Sequence, residues 1–71
     1  MADHVYKVVE VVGSSRDSIQ DAVRNAVTRA SETLRNVEWA EVGSIRAHIV
    51  DGEVDHFQVA TKIGFRLDDP Q

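Results

Sequence analysis

The chain of 71 residues contains no cysteine, which removes disulfide bridges and thiolate zinc sites together. No apolar run approaches the roughly 20 residues needed to span a bilayer, so no membrane segment is expected. The opening MADHVYKVVE has no charged leader followed by a long apolar block. No signal peptide is therefore expected, and the expected location is the cytoplasm. Positive charge is also short: eight Lys and Arg stand against twelve Asp and Glu, for a formal charge of −4. That balance disfavours nucleic acid or an anionic membrane as partner. A Gly-rich phosphate loop is missing too, since Gly13-Ser14-Ser15 reads as an ordinary turn. The length suits one small domain over residues 1–71, with 1–3 and 68–71 as frayed tails. Such a domain buries a modest share of its surface. Without disulfides or a metal, it is expected to gain stability by assembling with copies of itself.

What is present has a clear order. His4 to Val12, HVYKVVEVV, is rich in β-branched and aromatic residues and predicts a strand that ends at Gly13. Ile19, Ala22, Val23, Ala26, Val27, Ala30 and Leu34 recur at offsets of three and four and predict a helix with one apolar stripe. Ser14 or Ser15 is the expected N-cap, Asp17 suits the positive end of the dipole, and Arg35 suits the far end. From Val37 the period becomes two, and Asp51-Gly52 makes a tight turn between two long alternating runs. In the last run Phe57, Val59, Thr61, Ile63, Phe65 and Leu67 form the expected core face. His56, Gln58, Ala60, Lys62, Gly64 and Arg66 form the other. Apolar parity in the run before it switches near Gly43-Ser44, as a β-bulge would produce, which places Trp39 on the face away from the helix. The predicted fold is α+β, in the order β-α-β-β. Its three-stranded antiparallel sheet wraps on one helix, with the last strand in the middle. A single helix covers one face of that sheet, so the outer face is left for an interface or a ligand.

Catalytic signals are thin. His4, His48 and His56 lack metal-ligand spacing, and no metal site is expected. His48 and His56 flank the hairpin turn as an exposed cross-strand pair. Ser14, Ser15 and Ser18 fit helix capping better than nucleophilic catalysis. The outer-face group differs. Trp39 offers a flat π-surface, Gln58 carries a donor and an acceptor suited to an imide-like edge, and Arg46 and Arg66 could hold a phosphate. Together they would fit a nucleotide or a flavin. By spacing alone, Trp39 reads more readily as an interface anchor among ordinary surface arginines.

Three stretches carry a family resemblance: VYKVVEVVGSS at the first strand, TLRNVEWAEV at the helix-to-strand junction, and VDHFQVATKIGFRL at the last strand. With the helix between them they span Val5 to Leu67, and the chain resembles the dodecins, small flavin-binding proteins. The resemblance implies a hollow dodecamer of identical subunits, a homo-oligomer that would cover the bare outer face. It implies flavins bound in pairs, with Trp39 as the stacking residue and Gln58 on the polar edge of the ring. Arg46 and Arg66 match basic positions of bacterial members, which tilts the expected ligand toward FMN over riboflavin or FAD. Coenzyme A is a further cargo of some bacterial members. The implied role is storage and sequestration of flavin with quenching of its excited state, and no enzymatic activity is expected. The alternatives are a flavin-dependent redox enzyme and a shell whose main cargo is coenzyme A.

Overall fold

A computed structural model describes residues 3–68; the rest of the expected tails, Met1–Ala2 and Asp69–Gln71, lies outside that range. Four elements follow one another: β1 (Tyr6–Ser15), α1 (Ile19–Thr33), β2 (Val37–Val50) and β3 (Glu53–Arg66). They form one three-stranded sheet in the order β1-β3-β2, antiparallel at both pairings. The helix carries the chain back across the sheet, so β1 and β2 point the same way and β3 fits between them. Asp51 and Gly52 turn the β2–β3 hairpin with φ of 52° and 80°, both positive, as a type I′ turn requires.

Four local expectations are corrected. The first strand does not end at Gly13 but runs on to Ser15. Gly13 is there for contact rather than for turning. A Cβ at this position would run into the carbonyl oxygen of Ala22 and lie 2.8 Å from Ala26 Cβ, so the missing side chain lets α1 lie close on β1. The N-cap is Ser18, whose hydroxyl accepts from the Asp21 amide at 3.0 Å. Ser15 instead ties the connection together. Its hydroxyl accepts from the amides of Asp17 (2.9 Å) and Ser18 (3.4 Å) and donates to Asp21 Oδ2 at 2.9 Å. Asp21, not Asp17, is the acid of the first turn, and Arg35 lies past the C-cap Leu34, ion-paired with Asp68 at 3.4 Å. A second bond, from Asn36 Nδ2 at 2.9 Å, also holds Asp68.

The core is small. Ala22, Ala26 and Ala30 of the helix pack toward Val59 and Ile63 of β3, with Thr61 buried between those two. Thr61 is satisfied there, because its hydroxyl donates to the Val59 carbonyl at 3.3 Å. The expected bulge at Gly43-Ser44 is present, and two more register shifts flank it, between Val37 and Trp39 and between His48 and Ile49. The shifts bring Ala40, Val42 and Ile45 opposite Ile63, Thr61 and Val59, on the side that faces the helix. The helix lies over β1 and β3 and barely reaches β2. Val42 and Ile45 are therefore 47% and 52% exposed although their partners on β3 are fully buried. Bare apolar surface thus exists on both faces of the sheet. The chain exposes 5380 Å², against about 4400 Å² for a compact monomer of its mass. Its radius of gyration is 14.9 Å, where about 11 Å is usual for this length.

Candidate functional site

The face of the sheet turned away from α1 is read most easily in rows that cross β1, β3 and β2. Val8, Gly64 and Trp39 form one row. The indole lies across Gly64, so that a Cβ there would overlap the ring atoms Cδ2, Cε2 and Cζ2. Trp39 thus sits flat against the sheet with its far side bare, at 41% exposure. The reason is local: the register shift before Trp39 turns it outward, and the glycine opposite leaves room for a ring.

Tyr6 and Arg66 form the next row toward the sheet end. Both meet Glu38: the Tyr6 hydroxyl donates to Oε1 at 3.2 Å, and Arg66 Nε stands 3.9 Å from Oε2. The hydrogen bond to Glu38 pushes the Tyr6 phenol above its ordinary 10.0, helped by burial and by the Glu38 charge, against the Arg66 charge. Asn36 fixes this corner. It takes the left-handed φ of 62° that asparagine tolerates, accepts from the Arg66 amide at 3.0 Å through its carbonyl, and donates from Nδ2 to the Arg66 carbonyl at 3.1 Å.

On the other side of the tryptophan row, Lys62 stands between Glu10 and Glu41. Further along, Gln58 lies between Ser14 and Arg46. Arg46 makes no ion pair among the described residues. Next to it His48 and His56 face each other with rings stacked 4.9 Å apart at 27°. The exposed cross-strand pair expected here is found, but His56 is half-buried and engaged. Its Nδ1 lies 2.7 Å from Asp55 Oδ2, and its Nε2 lies 3.4 Å from Gln58 Nε2. The hydrogen bond from His56 holds the Asp55 carboxyl below its ordinary 3.8, ahead of the opposing effect of burial.

All four expected site residues share the outer face, but in two clusters. Trp39 and Arg66 lie at one end, and Arg46 and Gln58 are paired at the other. The positions on β3 that carry these clusters, 64 and 58, are about 20 Å apart along a strand. One copy of the chain does not bring Trp39 and Gln58 onto a single ring. Four contributing residues escaped the sequence reading. Gly64 had been visible as a gap on this face without being linked to Trp39. Glu38 and Asp55 carried no signal, and His56 was read only as half of an exposed pair. Glu38 meets Tyr6 and Arg66 only through the register, whereas Asp55 and Gln58 engage a ring one and two residues away in the chain. A hollow of about 750 Å³ runs along the flank of β1 and α1 between Val11 and Ala30 and is lined by none of Trp39, Arg46, Gln58 and Arg66. Among the described residues no group of three His, Asp or Glu could hold a metal ion, and no helix is long and apolar enough to cross a membrane.

Residues 5–68 match the family model described as Dodecin. The chain belongs to the dodecin family. It is 43% identical over 65 residues to the dodecin of Thermus thermophilus, covering 92% of this chain and 94% of that one. The solved dodecin of Streptomyces coelicolor is 56% identical and superimposes with a TM-score of 0.91, over 99% of this chain and 100% of that one. The dodecin of Streptomyces davaonensis has the same TM-score at 44% identity, over 96% and 100% of the two chains. These likenesses carry the β-α-β-β topology, and no reaction stands in the relatives' names.

Proposed function

We propose that the chain stores and sequesters FMN as a dodecamer, stacking the flavin on Trp39 and quenching its excited state without chemical turnover. The observation that carries this reading is the bare indole laid flat over Gly64 on an uncovered sheet face. A core tryptophan would be enclosed, and a flexible surface tryptophan would need no glycine beneath it. A ring held flat with one side open is a stacking platform, and a stacked indole can donate an electron to an excited flavin. The imide-like edge then falls to Gln58, and the phosphate to Arg46 and Arg66. The separation between the two clusters implies that neighbouring copies complete each site. Assembly also answers the bare apolar surface on both faces of the sheet.

A further support comes from the Thermus thermophilus dodecin. Three of its solved variants replace one tryptophan or one of two arginines, spaced seven and twenty residues apart along that chain. Trp39, Arg46 and Arg66 have the same spacing here. Each variant still superimposes on this chain with a TM-score of 0.88 or 0.89. Those side chains are dispensable for the relative's fold, as ligand-facing groups should be.

The test is FMN titration of Trp39→Ala, with particle size followed by size-exclusion chromatography. A stacked ring contributes about 1–3 kcal/mol, so the variant should lose about ten- to a hundredfold in affinity while still assembling. Equal affinity in an intact particle would overturn the stacking role.

A further inference from the structure

We infer that His56, its tautomer fixed by Asp55, is a positioning residue that sets which way the Gln58 amide faces and so which hydrogen-bonding edge a ligand meets. The inference rests on Gln58 touching the ligand, as proposed above. Its physical basis is a chain of donors and acceptors on the page. Asp55 is depressed below the ordinary carboxylate value, so near neutral pH it is an acceptor only. His56 Nδ1, at 2.7 Å, must then carry the proton in that bond. In a neutral ring this leaves Nε2 as a lone-pair acceptor. Gln58 Nε2, at 3.4 Å, donates to it. The stack on His48 holds the ring plane.

With one amide hydrogen committed to His56, Gln58 offers a ligand its carbonyl oxygen and its second N–H, side by side. That pair complements an imide, which presents an N–H beside a C=O. Protonation of His56 reverses the arrangement. Its Nε2 becomes a donor facing the donor of Gln58, and the amide turns over to place Oε1 on the ring. The ligand then meets N–H groups, and its imide N–H loses its acceptor. The charged and titratable groups near His56 are Asp55 on β3, His48 and Arg46 on β2, and Arg16 in the β1–α1 connection, which is near enough to Asp55 to lower it.

The experiment uses riboflavin, which has no phosphate to titrate, and reads its dissociation constant by fluorescence quenching on the assembled protein from about pH 8 to pH 5, the range in which histidines titrate. One net hydrogen bond corresponds to about three- to tenfold in affinity, and the parent should weaken by that factor on acidification. His56→Phe should be weaker by the same factor at pH 8 and have no slope. His56→Gln, whose carbonyl accepts from Gln58 at every pH, should restore the pH 8 affinity without restoring the slope. Asp55→Asn, which frees the tautomer, should weaken binding at pH 8 and serves if the His56 variants do not assemble. His48→Phe keeps a stacking ring and should keep the slope. If Gln58→Ala weakens binding but His56→Phe and Asp55→Asn both follow the parent at every pH, the positioning role is overturned and the flavin reading stands. If Gln58→Ala binds riboflavin as the parent does, the ligand contact itself fails, and this inference with it.

Discussion

Gly64 lies directly across the β2–β3 ladder from Trp39, and the indole fills the space that a side chain at position 64 would take. The atoms in the way belong to a side chain that can move, so Gly64→Ala should tilt the ring off the sheet rather than unfold the chain. The cost to stability is expected at the low end of about 1–3 kcal/mol for overpacking. The cost to flavin affinity should match that of Trp39→Ala. Tryptophan emission and FMN titration, measured together, check this. Unchanged affinity would mean that the flat seat is not what the ligand uses.

Gly13 presents the opposite case. An added Cβ would meet the helix backbone at Ala22 and the Ala26 methyl, neither of which can swing away. Gly13→Ala should therefore cost at least the upper end of about 1–3 kcal/mol. The buried apolar residues among those described are few, so loss of folded particles is the expected outcome. Thermal melting followed by circular dichroism reads the effect, and a melting temperature equal to the parent's would show that the helix can stand off the sheet.

The contrast between these glycines marks what could be read from sequence. Element order, the hairpin turn and the central place of β3 follow from period changes and from Asp51-Gly52, which are local signals. The outward direction of Trp39 was legible because the parity switch at Gly43-Ser44 reports a bulge. The role of Gly13 was not: a glycine before two serines looks like a turn, and the close approach of α1 is a tertiary fact. For the same reason the cap moved to Ser18, since Ser15 is taken up by the connection. Trp39, Gln58, Arg46 and Arg66 could be assigned to one face but not to two ends of it. Strand distance depends on register, and three shifts in β2 set that register, two of them without a glycine to announce them.

Tyr6 is the chain's one tyrosine, so its titration can be followed without ambiguity. The hydrogen bond to Glu38 raises its phenol above 10.0. A group raised in the folded state contributes stability that is present below the unfolded value and lost as pH rises through the folded one. The Tyr6–Glu38 contribution should therefore hold at neutral pH and fade above pH 10.0. Absorbance titration of phenolate formation should give an upshifted midpoint in the parent. In Glu38→Ala the midpoint should return toward 10.0; identical titrations would contradict the contact.

Asp55 carries the opposite sign. Its carboxyl is held below 3.8, chiefly by the hydrogen bond from His56. Its contribution is fully present above the unfolded value and is lost as pH falls through the depressed folded one. Asp55→Asn should be less stable than the parent at pH 7, and the two should converge on acidification below pH 3.8. Denaturant unfolding at both pH values checks the convergence, and a constant difference would remove the linkage.

The two arginines should not contribute equally to phosphate recognition. Arg46 makes no ion pair among the described residues, whereas Arg66 is held by Glu38 at 3.9 Å. A hydrogen bond to a charged group is worth about 1.5–3 kcal/mol, so Arg46→Ala should weaken FMN by about ten- to a hundredfold and leave riboflavin almost unchanged. Arg66 must leave Glu38 before it can meet a phosphate, and part of its gain is offset by that loss. Arg66→Ala should therefore cost less. Glu38→Gln, which removes the competing charge, should tighten FMN without affecting riboflavin. The ratio of FMN to riboflavin affinity across the three variants is the measurement, repeated at high salt, where the ratio should fall. If riboflavin and FMN weaken together in Arg46→Ala, the arginine supports the ring or the assembly, and the phosphate is held elsewhere.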